Sequence, residues 1–315
     1  SITSGAQTAF FFLFNILAGE SSEGPKKILL PITPEYIGYA NQGIHDDLFI
    51  SNPGLIKETG DRSFKYKVDF DNLKITEEIA AICVSRPTNP SGNVLTDDEV
   101  NKLSSIAKSH GIPFIIDNAY GNPFPGAIYT SANPIYDDHV ILTLSLSKLG
   151  LPGTRTGIVI GHEKIIEKIS AANAVIGLAN NNIGQAITAP LIKNREIFRI
   201  SEGTIRPYYF EKMQRAREYV RDSFSESTPY KIHDGEGAFF LWFWFPNLPI
   251  TSKELYERLK KKNVLVVPGE YFFYGTNEEW EHTRQCIRIT FSQPDNVIKQ
   301  GIKILAEEVE KAYQL

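Results

Sequence analysis

Short apolar runs recur along the first half of the chain, at 27–30, 47–50, 79–85, 113–117, 140–145 and 157–160. Each has the length of a buried strand, and stretches with helical periodicity lie between many of them. The clearest helix is predicted over 96–110. Thr96 stands at its N-cap, Glu99 completes a capping box, and Val100, Leu103, Ile106 and Ala107 form one apolar stripe. Gly111 and Pro113 end it. An earlier apolar helix is predicted over 8–17. This alternation predicts an α/β fold: a mostly parallel sheet with helices on both faces, taking its ligands at the carboxyl ends of the strands.

The pattern changes near Arg195. A long helix is predicted over 198–224, with Pro207 near its start. A strand at 237–245, a helix at 252–262, strands at 264–267 and 286–291, and a final helix from Asp295 follow. These predict a smaller α+β domain. The division runs 1–205 for the large domain and 206–315 for the small one.

Composition narrows the class. With 315 residues, 42% of them hydrophobic, the chain can bury a substantial core. Its net charge of −4 argues against a protein that binds nucleic acid by neutralising phosphates. No apolar run reaches the roughly 18 residues of a membrane span. The two cysteines, Cys83 and Cys286, sit in apolar runs and read as core thiols, a usage that fits the cytoplasm. Ser1–Gly5 is followed at once by an apolar stretch, which reads as the middle of a domain and predicts a further piece upstream.

The candidate chemistry falls at the predicted strand ends. Lys148 follows the run 139–144, flanked by Ser145 and Ser147, and is succeeded by a glycine-rich turn to Arg155. Lysine is the usual partner of a carbonyl cofactor, and hydroxyls with a cation suit a phosphate. Asp117 ends the run 113–117. It either pairs with a cation or caps the next turn. Tyr120, three residues on, either reaches the same ligand or packs in the core. Asn89 lies in a rigid Pro-Thr-Asn-Pro turn and offers an amide donor, although such turns are common. Gly5, Ala6 and Gln7 open a helix whose amides can receive a phosphate, with plain capping by Ser4 as the alternative. Tyr36 either stacks on a planar ligand or simply packs. Arg288, inside a strand, either holds a carboxylate in bidentate fashion or lies on a solvated face.

Taken in order, these segments resemble the fold-type I pyridoxal-phosphate (PLP) aminotransferases of the aspartate aminotransferase superfamily. FKYKVDF, CVSRPTNPSGNV, IDNAYGNPFPG and LSLSKLGLPG are similar to the valine–pyruvate aminotransferase group. The resemblance implies a seven-stranded sheet and the cofactor pyridoxal 5′-phosphate. It implies that Lys148 is the Schiff-base lysine and proton carrier and that Asp117 pairs with the pyridine nitrogen. Tyr120 and Asn89 bind the ring oxygen, and Tyr36 stacks on the ring. Ser145, Ser147, Arg155, Gly5, Ala6 and Gln7 form the phosphate cup. Arg288, with Asn89, holds the substrate α-carboxylate.

The implied reaction is ping-pong transamination between a small aliphatic amino acid and a 2-oxo acid such as pyruvate, in a homodimer with sites at the subunit interface. A same-fold β-C–S lyase and a PLP-binding regulatory module are the alternatives. Two departures from the family stand out. Arg155 lies seven residues after Lys148, where many members have eight. The upstream segment that normally helps complete the site is not visible, so the chain is expected to hold an incomplete one.

Overall fold

The structure is a computed structural model, and it describes residues 1–22, 24–276 and 279–315. In chain order the strands are β1 (Ile2–Thr3), β2 (Lys27–Thr33), β3 (Phe49–Pro53), β4 (Leu55–Gly60), β5 (Ser63–Lys67), β6 (Ile79–Ser85), β7 (Phe114–Asp117), β8 (Val140–Ser145), β9 (Gly157–Ile160), β10 (Lys231–His233), β11 (Phe240–Trp244), β12 (Val267–Pro268) and β13 (Cys286–Thr290). The helices are α1 (Ala6–Leu17), α2 (Asp97–Ser109), α3 (Glu163–Gly177), α4 (Ile183–Lys193), α5 (Glu196–Ile200), α6 (Arg206–Ser223), α7 (Ser252–Lys260) and α8 (Asp295–Tyr313).

The first sheet has seven strands in the order β1-β9-β8-β7-β6-β2-β3. Pairing is parallel from β8 through β7, β6 and β2 to β3, and antiparallel where β9 meets β8 and β1. Both faces are covered, and the strand sequences show why. Ile82 and Val84 of β6 pack with Val100, Leu103 and Ala107 of α2. Their alternates Ala81 and Cys83 pack with Phe10, Leu13 and Phe14 of α1 and Ile169 of α3. A run apolar at every position can serve two layers of helices, which is why these strands read as continuous rather than alternating. The capping box on α2 is present as predicted. Both cysteines are buried free thiols.

The second sheet, in the order β12-β13-β11-β10-β5-β4, packs against α6, α7 and α8. Two of its strands come from the first half of the chain. The hairpin β4–β5 was not anticipated, and β5 pairs in parallel with β10. The edge strand β4 is nearly all exposed, so it carries almost no apolar signal.

Four predicted elements are corrected. The helix predicted over 198–224 is continuous but not uniform: Ser201–Ile205 forms a π turn between α5 and α6. Pro207 has no N–H to give an intrahelical carbonyl, and the wider turn upstream absorbs the mismatch. The strand predicted at 264–267 is only Val267–Pro268. Asn263 adopts a left-handed conformation, and the Val264 amide returns 3.0 Å to the Leu259 carbonyl to close α7, so this stretch is spent on the cap. The strand predicted at 237–245 narrows to Phe240–Trp244. The helix predicted from Thr8 begins at Ala6, with Gly5 rather than Ser4 as its cap.

Candidate active site

The carboxyl ends of β2, β6, β7 and β8 converge on a cavity of about 190 Å³. Ala6, Gln7, Tyr36, Asn89, Asp117, Tyr120, Ser145, Ser147, Lys148 and Arg155 all line it. Residues up to 149 positions apart in sequence are thereby brought to one place because parallel strands present their carboxyl ends on the same edge of the sheet.

Asp117 is the last residue of β7 and is 6% exposed. Its Oδ1 accepts the Ala119 amide at 2.9 Å, so it does cap the next turn. Its Oδ2 accepts the Tyr39 hydroxyl at 2.5 Å. Burial raises its pKa, while Tyr39, the Ala119 amide and the positive charge of Lys148 oppose that rise. No cationic side chain hydrogen-bonds it among the described residues. A buried carboxylate left in this state calls for a cation from a ligand.

Lys148 sits in a short 3₁₀ turn, Ser147–Leu149, just past β8. Its Nζ lies 5.4 Å from the centroid of the Tyr120 ring. Burial lowers its pKa, and Arg288 and Arg155 lower it further, against the pull of Asp117. The amine is thus shifted toward the neutral, proton-accepting form.

At one end of the cavity Gly5 caps α1. The backbone there, φ 93° and ψ 159°, belongs to a region that is essentially glycine-only. A Cβ on Gly5 would collide with the Arg155 guanidinium. Among the described residues no side chain caps the helix, and the amides of Ala6 and Gln7 have no intrahelical carbonyl to bond. Arg155 reaches the Ser147 hydroxyl at 3.3 Å, and the Ser145 hydroxyl accepts the Ser147 amide at 3.2 Å. Helix amides, two hydroxyls and a guanidinium make a cradle for an anion. Gln7 is directed elsewhere: its side chain donates to the Gly38 carbonyl at 2.9 Å and accepts from the Tyr36 hydroxyl at 3.4 Å.

Arg288 is largely buried rather than on a solvated face. Its guanidinium lies 4.4 Å from the Phe240 ring and 5.4 Å from the Phe272 ring, and it donates to Asn89 Oδ1 at 2.6 Å. Burial lowers its pKa. The aromatic contacts and the Asn89 bond fix the fork beside the cavity, where it can meet a carboxylate. Tyr120 is packed edge-on against Phe239 and Phe240, and burial raises its phenol well above its ordinary value.

Two residues here were not found from sequence. Tyr39 looked like one more aromatic after a strand. Glu35, fully buried, accepts bonds from Ser85 and Tyr36. A proline-preceded acid in a predicted loop gives no sign of burial.

The cavity therefore offers a lysine amine, an anion cradle and a buried carboxylate awaiting a cation, and a phosphorylated pyridine aldehyde fits all three. The known proteins that this chain resembles agree. The family model "Aminotransferase class I and II" matches residues 59–305. The chain is 49% identical over 314 residues to the valine–pyruvate aminotransferase of Escherichia coli (strain K12), covering 99% of this chain and 75% of that one. It superposes on the crystal structure of the valine–pyruvate aminotransferase of Salmonella typhimurium LT2 with a TM-score of 0.94 and 49% identity, covering 100% of this chain and 79% of that one. The Pyrococcus horikoshii kynurenine aminotransferase, solved in complex with PMP, superposes with a TM-score of 0.81 at 25% identity, covering 98% and 74%. This chain belongs to the class I and II aminotransferases, which use pyridoxal phosphate to pass an amino group from an amino acid to a 2-oxo acid.

Proposed function

We propose that this enzyme transfers the amino group of a small aliphatic amino acid of the valine or alanine type to a 2-oxo acid such as pyruvate. The observation that carries the chemistry is the lysine amine and the buried carboxylate facing one cavity beside an anion cradle. The substrate choice is supported by the two valine–pyruvate aminotransferases at 49% identity. It is also supported by segment 175–182, which contains no arginine to receive a second carboxylate.

In this reading Ser145, Ser147, Arg155 and the amides opening α1 hold the cofactor phosphate. Tyr36 covers the ring, Asn89 and Tyr120 bind its phenolic oxygen, and Asp117 keeps a proton on its nitrogen. When bound, the cofactor supplies an aldehyde that takes up the amino group and a protonated ring that accepts electrons from the substrate α-carbon. Arg288 fixes the α-carboxylate and so aims the Cα–H bond at Lys148. The Lys148 amine accepts that proton and returns it, a role suited to an amine whose pKa burial and Arg288 have lowered. Asn89, bonded to Arg288, links ring recognition to carboxylate recognition.

The same reading makes the enzyme a cytoplasmic homodimer with a large domain over 1–205 and a small one over 206–315, the β4–β5 hairpin completing the sheet of the latter. Val175, Ile176, Leu178, Ile183 and Ile187 form an exposed apolar stretch on α3, α4 and their connection, a surface suited to a second copy. Free buried thiols suit a reducing compartment.

The test is to load the protein with PLP and add L-valine alone. One equivalent of 2-oxo acid per site, with the cofactor left in its amine form, supports transamination. Continuous release of pyruvate and ammonia from cysteine-type substrates would instead assign a lyase.

A further inference from the structure

Glu35 follows the end of β2 and has 0% exposure. It faces three donors and, among the described residues, no cationic side chain. The Ser85 amide donates to Oε1 at 2.6 Å, and the Ser85 hydroxyl donates to Oε2 at 2.6 Å. The Tyr36 amide donates to Oε2 at 2.8 Å. Ser85 ends β6 and lines the cavity, whereas Tyr36 lines it from the connection that follows β2. Glu35 is therefore the bracket between two walls that belong to different strands. The other end of the Tyr36 peptide is held too: its carbonyl accepts the Tyr274 hydroxyl at 2.9 Å.

We propose that Glu35 is a positioning residue for the cofactor: its carboxylate sets the separation between Tyr36 and the end of β6, and so the slot in which the ring is held. The proposal rests on the reading of this cavity as the PLP site. Chemistry explains why a carboxylate is needed. Every partner donates, so only an acceptor with two oxygens satisfies them all. In a glutamine the amide NH₂ would face the Ser85 N–H in one orientation and the Tyr36 N–H in the other. The Ser85 hydroxyl can rotate to accept, but neither backbone N–H can.

Protonation would weaken the bracket similarly. The groups that act on Glu35 or respond to its charge are Asp117 of β7, Cys83 of β6, Tyr39 and Tyr274. None is a cation. Burial, with a smaller push from Asp117, raises the Glu35 carboxyl to about 7, against the three donors. The bracket is then complete above that pH and is lost as the pH falls through it.

The experiment titrates apo protein with PLP, following the absorbance of the lysine-bound cofactor, at a series of pH values for wild type, Glu35→Gln and Ser85→Ala. Glu35→Gln is expected to bind about tenfold more weakly at pH 8, as one buried N–H loses its acceptor. It should also lack the drop in affinity expected of wild type on passing below pH 7. Ser85→Ala, which keeps both backbone bonds, should weaken binding by roughly two- to threefold. Wild-type affinity and an unchanged pH limb in Glu35→Gln would overturn the proposal. If that variant does not fold, Ser85→Ala binding like wild type at every pH overturns it. A wild-type protein that acquires no such absorbance refutes the reading of the site itself, and this inference with it.

Discussion

The Lys65–Glu236 pair allows a quantitative test of how the second sheet is fastened to the site. Lys65 lies on β5, and its Nζ pairs with Glu236 and donates to the Val94 carbonyl at 2.8 Å. Glu236 in turn accepts the Val94 amide at 3.0 Å. The side chains are only 8% and 18% exposed. Lys65→Met would leave a nearly buried carboxylate with one amide and an unpaired carbonyl. Removing one member of such a pair costs about 3–5 kcal/mol. The residual exposure of Glu236 favours the lower figure, about 3 kcal/mol. With an unfolding entropy of about 2.1 cal/mol/K per residue, a chain of 315 residues should lose about 4–5 °C in Tm. The double variant Lys65→Met/Glu236→Met removes both charges and should come within about 1 kcal/mol of wild type, because the desolvation cost leaves with the pair. Calorimetry of the two single variants and the double variant measures this. A loss below 1 °C in Lys65→Met, or a double variant equal to the sum of the singles, would refute the reasoning.

The other expectations concern the site. Lys148→Ala should abolish turnover and the absorbance of lysine-bound cofactor; an active variant that keeps that band would overturn its role. Arg288→Gln should raise KM for the amino acid by one to two orders of magnitude, roughly the loss of a charged hydrogen-bond pair. Because Arg288 holds the Lys148 pKa down, removing its charge lets that pKa rise, and the alkaline rise in rate should move to higher pH. A pH–rate profile that does not move would place Arg288 away from the lysine's field. Gly5→Ala forces a side chain into a glycine-only conformation and against Arg155, so it should cost about 1–3 kcal/mol and weaken PLP binding in equilibrium dialysis. Unchanged affinity would mean that the start of α1 does not hold the phosphate.

Much of this protein is legible in its local patterns. The apolar strands covered on both faces, the capped α2 and the order of the chemical segments are properties of contiguous residues. Hydrophobic periodicity reports which faces an element must bury, and short-range capping reports where it stops. Lys148, Asp117 and Arg288 could be singled out because a charged residue at the end of, or within, an apolar run is costly without a partner. What periodicity cannot report is who the partner is. Asn89 and Arg288 are 199 residues apart, and Tyr39 and Asp117 are 78 apart. The parallel pairing of β5 with β10 depends on the packing of the whole small sheet. Glu35 shows the limit plainly. Its sequence context is that of a loop acid, and only the folding of β2 beside β6 surrounds it with donors and takes it out of water. Contiguous residues are enough to mark most of the elements, the faces they bury and the groups available for chemistry, though not the β4–β5 hairpin with its exposed edge strand. The tertiary structure decided which groups meet and how burial shifts their proton affinities, because those are properties of pairwise distance and solvent exclusion rather than of neighbours along the chain.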